Sequence, residues 1–215
     1  MKLYDYYRST ASYRVRIALN IKQIHYEKIS VHLVNNGGEH RSDAYLELNP
    51  QGLVPTLDEN GHVLSQSLAI IEYLNDTVPT PALLPPDPLG RAEVRSMALT
   101  IACEMHPLNN LRVLRQLRQQ FQATEAQVKE WYHHWLSEGF DALEARLKKL
   151  IRKNPVCYGQ DVGLADVCLV PQVYNAKRFD FSMDKYPLIS EVNEYCLSLD
   201  AFAQATPQPE ESSST

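Results

Sequence analysis

The chain has 215 residues, 44% hydrophobic and 22% charged, which is enough for one large domain or two small ones with buried cores. Its formal net charge of −5 argues against a nucleic-acid-binding protein, which needs a basic face, but leaves room for an anionic small substrate. No apolar run approaches the roughly 18 residues of a membrane span, and the N-terminus lacks the apolar core of a signal peptide. We therefore expect a cytoplasmic protein with neither a nucleic-acid nor a membrane partner.

The cysteines give no sign of a metal or disulfide framework. They form no C-x-x-C pair and no zinc-like ladder, and each lies beside apolar residues. We expect free, buried thiols in a reducing compartment and no metal site. The four positions are Cys103, Cys157, Cys168 and Cys196.

Strand and helix patterns alternate through the first third of the chain. Strands are predicted at Leu3–Tyr6, at His25–Val31, after Pro55 and at His62–Leu64, and helices at Ser12–Ile21 and from Gln66 through Leu74. The Asp-Glu-Asn-Gly turn at 58–61 predicts a hairpin between the last two strands. The order β-α-β-β-α is that of a thioredoxin-like α/β domain, which we assign to residues 1–78.

A proline-rich segment separates this domain from a helical half. Five of the thirteen prolines lie between residues 79 and 88, so we assign a semi-rigid linker to residues 79–90. An all-α domain is assigned to residues 91–205, and the polar tail at 206–215 is expected to be disordered. Within the all-α domain, helices are predicted at Arg91–Phe121, from Thr124 to about Ile151, at Leu164–Phe179 and at Ile189–Ala205.

A hydroxyl-rich turn between the first strand and first helix is the strongest local signal for a binding site. Ser9 and Thr10 lie where helix N-caps lie, and a helix N-terminus favours an anion. Arg8, Arg14 and Arg16 add positive charge nearby, so the segment can hold a thiolate or a carboxylate. An ordinary capped helix is the alternative.

Two dipeptides downstream extend this signal. A cis bond at Val54-Pro55 would expose the Val54 backbone for pairing with an extended peptide, whereas a trans turn proline is the commoner state. Ser67 opens a helix, so its hydroxyl and N–H can bind a carboxylate, while Gln66 can bind an amide or ammonium group. A plain N-cap is the alternative for this pair.

The three motifs occur in order at residues 8–19, 54–57 and 66–74, followed by the linker and the helical half. In this arrangement the chain resembles the zeta class of glutathione transferases, from Met1 to about Ala205. The resemblance implies the glutathione transferase fold, a thioredoxin-like α/β domain followed by an all-α domain. Further family-like strings lie at residues 79–85, 106–111 and 165–173.

The resemblance also implies a site with glutathione as cofactor. Ser9 and Thr10 would be catalytic, because their hydroxyls favour the glutathione thiolate. Arg8 and Arg178 would bind substrate carboxylates, for which the arginine fork is suited. A cation that stabilises a helix C-terminus is the alternative for Arg178. The remaining implied glutathione contacts are Val54, Gln66, Ser67, His106 and Asn110.

Two positions, Ala11 and Gly163, depart from the family pattern. The family's usual cysteine is replaced by Ala11, so no thiol is available there. Gly163 stands where many members have a capping Ser or Thr, three residues before Asp166, which we interpret as a folding residue. His106 and Asn110 are four residues apart and are expected on one helix face.

For activity, the resemblance implies glutathione-dependent cis–trans isomerisation of maleylacetoacetate to fumarylacetoacetate, in tyrosine and phenylalanine breakdown. The thiolate would add reversibly to the double bond of this small diacid, and the enzyme would be a homodimer. Three alternatives stay open: isomerisation of maleylpyruvate in gentisate degradation, general glutathione transfer, and a non-enzymatic binding module. Leu111 stands where an arginine would favour the shorter diacid, which favours maleylacetoacetate.

Overall fold

The computed structural model describes residues 1–208, and at Asn36 the backbone only. The disorder predicted for the tail falls, from residue 209 onward, outside the described residues. The chain divides into two compact units. The N-terminal unit comprises Met1–Ala82 together with the segment that begins at Leu199, and the helical unit comprises Leu83–Ser198.

A four-stranded mixed sheet with the order β2-β1-β3-β4 forms the centre of the N-terminal unit. β1 pairs in parallel with β2 and antiparallel with β3, and β3 pairs antiparallel with β4. The strands are β1 Lys2–Asp5, β2 Glu27–Ser30, β3 Thr56–Glu59 and β4 His62–Ser65, and the helices are α1 Thr10–Ile21, α2 Asp43–Leu48 and α3 Ser67–Thr77. This confirms the predicted thioredoxin-like topology.

The short helix α2 was absent from the prediction. Its six residues span less than two turns, which is too short for a 3.6-residue apolar period to show. Ser42 caps it, with Oγ accepting the Tyr45 N–H at 3.3 Å, and Tyr45 is its one buried residue.

The helical unit contains five helices of eight residues or more. They are α4 Pro88–Leu99, α5 Leu111–Phe121, α6 Glu125–Leu147, α7 Leu164–Arg178 and α8 Pro187–Leu197. The linker predicted at 79–90 therefore ends inside α4, because a proline is tolerated at the first helical position. Among residues 1–208, every helix is too short or too polar to span a lipid bilayer.

The single helix predicted over Arg91–Phe121 is wrong. A π-helical segment, Thr100–Met105, follows α4, and an irregular turn at residues 106–110 separates it from α5. Pro107 lies in that turn, where its missing N–H cannot continue a helical ladder. The apolar spacing alone did not reveal the interruption.

The helix predicted at Ile189–Ala205 is also two elements, α8 and the four-residue helix α9, Asp200–Ala203. The segment around α9 belongs to the N-terminal unit, unlike the expected boundary at 205. Three side chains of α1 hold it: Asn20 Nδ2 donates to the Ala201 carbonyl at 3.0 Å, Arg16 Nε donates to the Ala205 carbonyl at 3.1 Å, and the Tyr13 and Thr206 hydroxyls lie 3.1 Å apart. These partners are far apart in sequence, so local pattern could not reveal them.

Candidate active site

The N-terminus of α1 carries the predicted hydroxyl pair. Ser9 is the N-cap, and its Oγ accepts the Ser12 N–H at 3.2 Å. A hydroxyl that accepts in this way keeps its own proton for donation to a ligand. Thr10 is the first helical residue and is buried. The predicted cap is thus confirmed, and it leaves one hydroxyl donor beside the positive end of the helix.

The three arginines of this segment have different environments. Arg8 is exposed, with its guanidinium carbon 5.1 Å from the Tyr7 ring centre. Arg16 is buried and forms an ion pair with Asp5 at 2.7 Å, so the expectation that its charge serves a ligand is wrong. Arg14 is buried too, and it points toward the start of α3.

Val54 lies in a cis peptide bond with Pro55, which decides between the two alternatives left open by the sequence. Its side chain packs in a buried cluster with Tyr6 and Tyr45. Within residues 1–208, no hydrogen bond uses its backbone N–H or C=O. Because buried backbone groups are almost always paired, this backbone is suited to an extended peptide ligand.

Two polar side chains that sequence reasoning missed support the Val54 loop. The Tyr45 hydroxyl donates to the Leu53 carbonyl at 2.7 Å, and Asn49 Nδ2 donates to the same oxygen at 2.9 Å. Both also contact Thr56 Oγ1, at 2.9 and 3.0 Å. Burial raises the pKa of Tyr45, which keeps its hydroxyl neutral. Sequence alone could not identify Asn49, because its partners Leu53 and Thr56 depend on the tertiary fold.

The N-terminus of α3 presents the second predicted pair. Ser67 is its first residue, and Ser67 Oγ accepts a hydrogen bond from Arg14 Nη1 at 3.3 Å. Gln66 precedes it with φ of 70°, a strained conformation for a residue other than glycine. The Gln66 amide donates to Gln51 Oε1 at 2.8 Å. A carboxylate bound here would meet a helix N-terminus backed by a buried guanidinium.

In the helical unit, His106 and Asn110 flank the irregular turn after the π-helical segment. Asn110 is the N-cap of α5, where its Oδ1 accepts the Arg112 N–H at 3.1 Å. His106 is half-buried. The expectation that the two share a helix face is wrong, because the bonds from Asn109 N to His106 O and from Asn110 N to Pro107 O, both 3.3 Å, are turns rather than α-helix.

Arg178 is the last residue of α7 and is exposed. Its Nη1 donates to Asn175 Oδ1 at 3.3 Å, and its guanidinium carbon lies 5.8 Å from the Tyr174 ring and 5.9 Å from the Phe179 ring. Sequence reasoning missed Asn175, although its spacing of three residues on a helix is a usable signal.

Asp166 acts at the other end of α7, as the sequence indicated. Its two oxygens accept the N–H groups of Cys157 at 2.7 Å and Gly163 at 2.8 Å, which fixes the start of the helix. Burial raises the pKa of Asp166, and the backbone hydrogen bonds oppose that rise in part. The carboxylate is therefore structural.

The cysteines are free, as expected, but Cys103 is exposed rather than buried. It lies in the π-helical segment, which buries Ile101 and Met105 and turns Cys103 outward. No group of three or more metal-ligating side chains was found among residues 1–208.

Comparison with known proteins identifies the family. Residues 3–82 match the profile of the glutathione S-transferase N-terminal domain. Maleylacetoacetate isomerase of Pseudomonas aeruginosa is 50% identical over 208 residues, covering 96% of each chain. Maleylpyruvate isomerase of a Ralstonia species is 49% identical over 207 residues, covering 96% of this chain and 97% of that protein.

Solved structures agree with this assignment. A holo structure of a bacterial maleylpyruvate isomerase, described as a zeta-class glutathione S-transferase, superposes with a TM-score of 0.94 at 48% identity and covers 98% of this chain and 100% of that one. The structure of a maleylacetoacetate isomerase of Methylobacterium extorquens AM1, with bound malonate and glutathione, superposes with a TM-score of 0.92 at 37% identity. The match covers 97% of this chain and 98% of that one. The chain belongs to the zeta class of the glutathione S-transferase family.

Proposed function

We propose that this protein is a glutathione-dependent cis–trans isomerase that converts maleylacetoacetate to fumarylacetoacetate. The observation that carries the proposal is the polar arrangement of the N-terminal unit. That unit contains a serine-capped helix start, a buried Val54 whose backbone forms no hydrogen bond within residues 1–208, and a second helix start backed by Arg14. Relatives named maleylacetoacetate isomerase, one of them 50% identical, support this assignment.

These residues suit the three chemical parts of glutathione. Ser9 and the α1 N-terminus suit the thiolate, because a hydroxyl donor and a helix dipole both favour an anion. The Val54 backbone suits the peptide part. Ser67 suits the carboxylate of the γ-glutamyl end, and the Gln66 carboxamide suits the ammonium group of the same end. We also assign His106 and Asn110 of the helical unit to glutathione binding.

When bound, glutathione supplies a thiolate that adds reversibly to the substrate double bond, which permits rotation before the thiol is released. The chain's task at the sulfur is to favour its ionised form. The Ser9 hydroxyl would donate a hydrogen bond to the sulfur, and Thr10 would add a second hydroxyl at the same helix start. Ala11 offers no thiol of its own, so the nucleophile comes from the cofactor.

Substrate binding falls to the arginines in this proposal. Arg8 and Arg178 each carry an exposed guanidinium, and the substrate carries a carboxylate at each end. A bidentate arginine–carboxylate pair fixes both position and orientation, which places the double bond for attack. We further assign the enzyme to the cytoplasm as a homodimer, as the family resemblance implies.

Maleylpyruvate is the second candidate substrate. A maleylpyruvate isomerase is 49% identical to this chain, almost the same identity as the maleylacetoacetate isomerase. Leu111, an exposed residue at the start of α5, stands where an arginine would favour the shorter diacid. The longer substrate is therefore preferred.

The test is turnover of both maleyl acids by the purified protein with and without glutathione. We expect glutathione-dependent loss of both cis substrates, with the larger kcat/KM for maleylacetoacetate. A larger value for maleylpyruvate would transfer the assignment to the second candidate. No turnover of either acid would contradict an isomerase and leave a transferase or a binding module.

A further inference from the structure

We propose that Tyr132 and Asn175 are positioning residues that orient Arg178 for the substrate carboxylate. The inference rests on the proposed function only for the identity of the ligand. Its geometric basis is a chain of contacts from the buried face of α6 to the exposed end of α7. Asn175 connects the two ends of that chain.

Arg178 needs such support because it is exposed at a helix end. A free arginine side chain has about 2 kcal/mol of rotamer entropy to lose when it binds a ligand. Asn175, one turn earlier on α7, accepts a hydrogen bond from Arg178 Nη1 at 3.3 Å. The contact occupies one N–H, so the guanidinium keeps further donors for a carboxylate.

The chemistry of the groups fixes the direction of the chain. A guanidinium only donates, so Asn175 must turn its carbonyl oxygen toward Arg178 and its NH₂ group toward Tyr132. The Asn175 NH₂ group does donate to the Tyr132 hydroxyl. Exchanging the two ends of the amide would set donor against donor at Arg178. Asn175 therefore transmits the position of Tyr132 to Arg178.

Tyr132 is a rigid anchor. It is fully buried, and its ring stacks on Phe179 with centres 4.0 Å apart and planes 14° apart. Burial raises the pKa of Tyr132, while the charge of Arg178 opposes that rise. The hydroxyl thus stays neutral and leaves the positive charge of Arg178 available to a ligand.

The same stretch of α6 also holds the turn that carries the other candidate residues of this unit. The Tyr132 carbonyl accepts Asn109 Nδ2 at 3.1 Å, and Trp131 Nε1 donates to the Leu108 carbonyl at 2.9 Å. Asn109 and Leu108 lie between His106 and Asn110 in sequence. One anchor on α6 therefore fixes both the turn at 106–110 and the end of α7.

A double-mutant cycle between Asn175 and Arg178 tests the proposal. We expect Asn175→Ala to raise the KM for the maleyl substrate about tenfold, roughly the loss of one hydrogen bond to a charged group. The kcat and the KM for glutathione should stay within about twofold. In an Arg178→Ala background, Asn175→Ala should add no further loss, because its effect passes through Arg178. Additive losses would show that Asn175 acts on the fold, and would overturn the proposal.

Two tyrosine variants sharpen the test. Tyr132→Phe removes only the hydroxyl and keeps the stacked ring, so it should raise the same KM by a smaller factor. Tyr158→Phe, a half-buried tyrosine of the same unit, is the matched control and should leave KM unchanged. Equal effects of the two variants would contradict a specific role for Tyr132.

Crystal structures of the wild type and Asn175→Ala test positioning without catalysis. We expect the Arg178 guanidinium to leave its wild-type position in the variant. An unchanged Arg178 would overturn the positioning proposal, even for a fully active enzyme. A wild-type protein inactive on both maleyl acids would overturn the proposed function alone, since the displacement of Arg178 would still be observed.

Discussion

Helices α1 and α7 both carry candidate site residues, but at opposite ends and with opposite chemistry. The hydroxyls of α1 lie at its N-terminus, where the helix dipole favours an anion, and Arg178 lies at the C-terminus of α7, where the dipole favours a cation. In the proposed function, the start of α1 would favour the thiolate, and the guanidinium of Arg178, rather than the end of α7 itself, would bind the substrate carboxylate.

The two helices are also anchored by buried carboxylates in different ways. Asp5 on β1 is fully buried and is neutralised by Arg16 of α1, which also donates to the Tyr7 carbonyl at 3.2 Å. Asp166 on α7 accepts the backbone N–H groups of Cys157 and Gly163 and forms no ion pair within residues 1–208. One anchor depends on a second charge and the other on helix capping, and this difference predicts how each can be broken.

The largest effect is expected from Arg16→Met. It leaves the Asp5 carboxylate buried, with Lys28 Nζ at 3.6 Å as the remaining ion-pair partner within residues 1–208. Loss of one partner of a buried ion pair costs about 3–5 kcal/mol in the free energy of unfolding. Urea denaturation followed by circular dichroism measures it, with the exposed Arg8→Met as control. A loss below about 1 kcal/mol, the range of exposed pairs, would show that the pair does not anchor α1.

A somewhat smaller loss is expected from Asp166→Ala. It leaves the buried N–H of Cys157 without an acceptor, which costs about 1–3 kcal/mol, and it removes the partner of the half-buried Gly163 N–H. Both tryptophans of the chain, Trp131 and Trp135, lie in α6, so their fluorescence reports unfolding of the helical unit. Asp161→Ala, an exposed carboxylate in the same loop, is the control. If both variants unfold at the same urea concentration, Asp166 does not cap α7.

Ser9→Ala tests the chemical role of the α1 terminus. A hydrogen bond to a charged group is worth about 1.5–3 kcal/mol, so kcat should fall about 10- to 100-fold and the pKa of bound glutathione thiol should rise. The pKa of the bound thiol is measured by following the ultraviolet absorbance of the thiolate as a function of pH.

Ser42→Ala is the control that separates the loss of a helix cap from the loss of a group that acts on the thiolate. Ser42 caps α2 through the same type of hydrogen bond, at 3.3 Å, so this variant should cost comparable stability but little rate. A similar loss of kcat in both variants would remove Ser9 from the thiolate role.

The smallest effect is a pH dependence confined to the helical unit. Burial raises the pKa of Asp166 above 3.8, its ordinary value, so the folded chain binds this proton more tightly than the unfolded chain. The contribution of Asp166 to stability is then greatest below pH 3.8 and declines as the pH rises through the folded-state pKa. Asp166→Asn should remove this decline, measured as the difference in unfolding free energy between acidic and neutral pH. Parallel profiles for the two proteins would contradict the raised pKa.

Local signals were enough to predict much of the fold and to select part of the candidate site, whereas His106, Asn110 and Arg178 were implied only by the family resemblance. Alternating and helical apolar periods predicted the order of strands and helices along the N-terminal unit, and hydroxyls at an element boundary predicted the cap at Ser9. Positions 54 and 66–67 were selected because a proline and a helix start are visible in the sequence. A period of 3.6 residues did not reveal the π-helical segment, since that segment keeps Ile101 and Met105 buried.

By itself, the sequence determined the element order of the N-terminal unit, the helix N-termini that suit anions, and the family. Those features depend on residues close together in the chain. Only the tertiary structure decided that Arg16 is neutralised by Asp5, that Arg14 lies behind Ser67, and that Tyr132 supports Arg178 through Asn175. Such contacts join residues whose elements must first pack together, so packing decides whether a charged side chain serves a ligand or the fold.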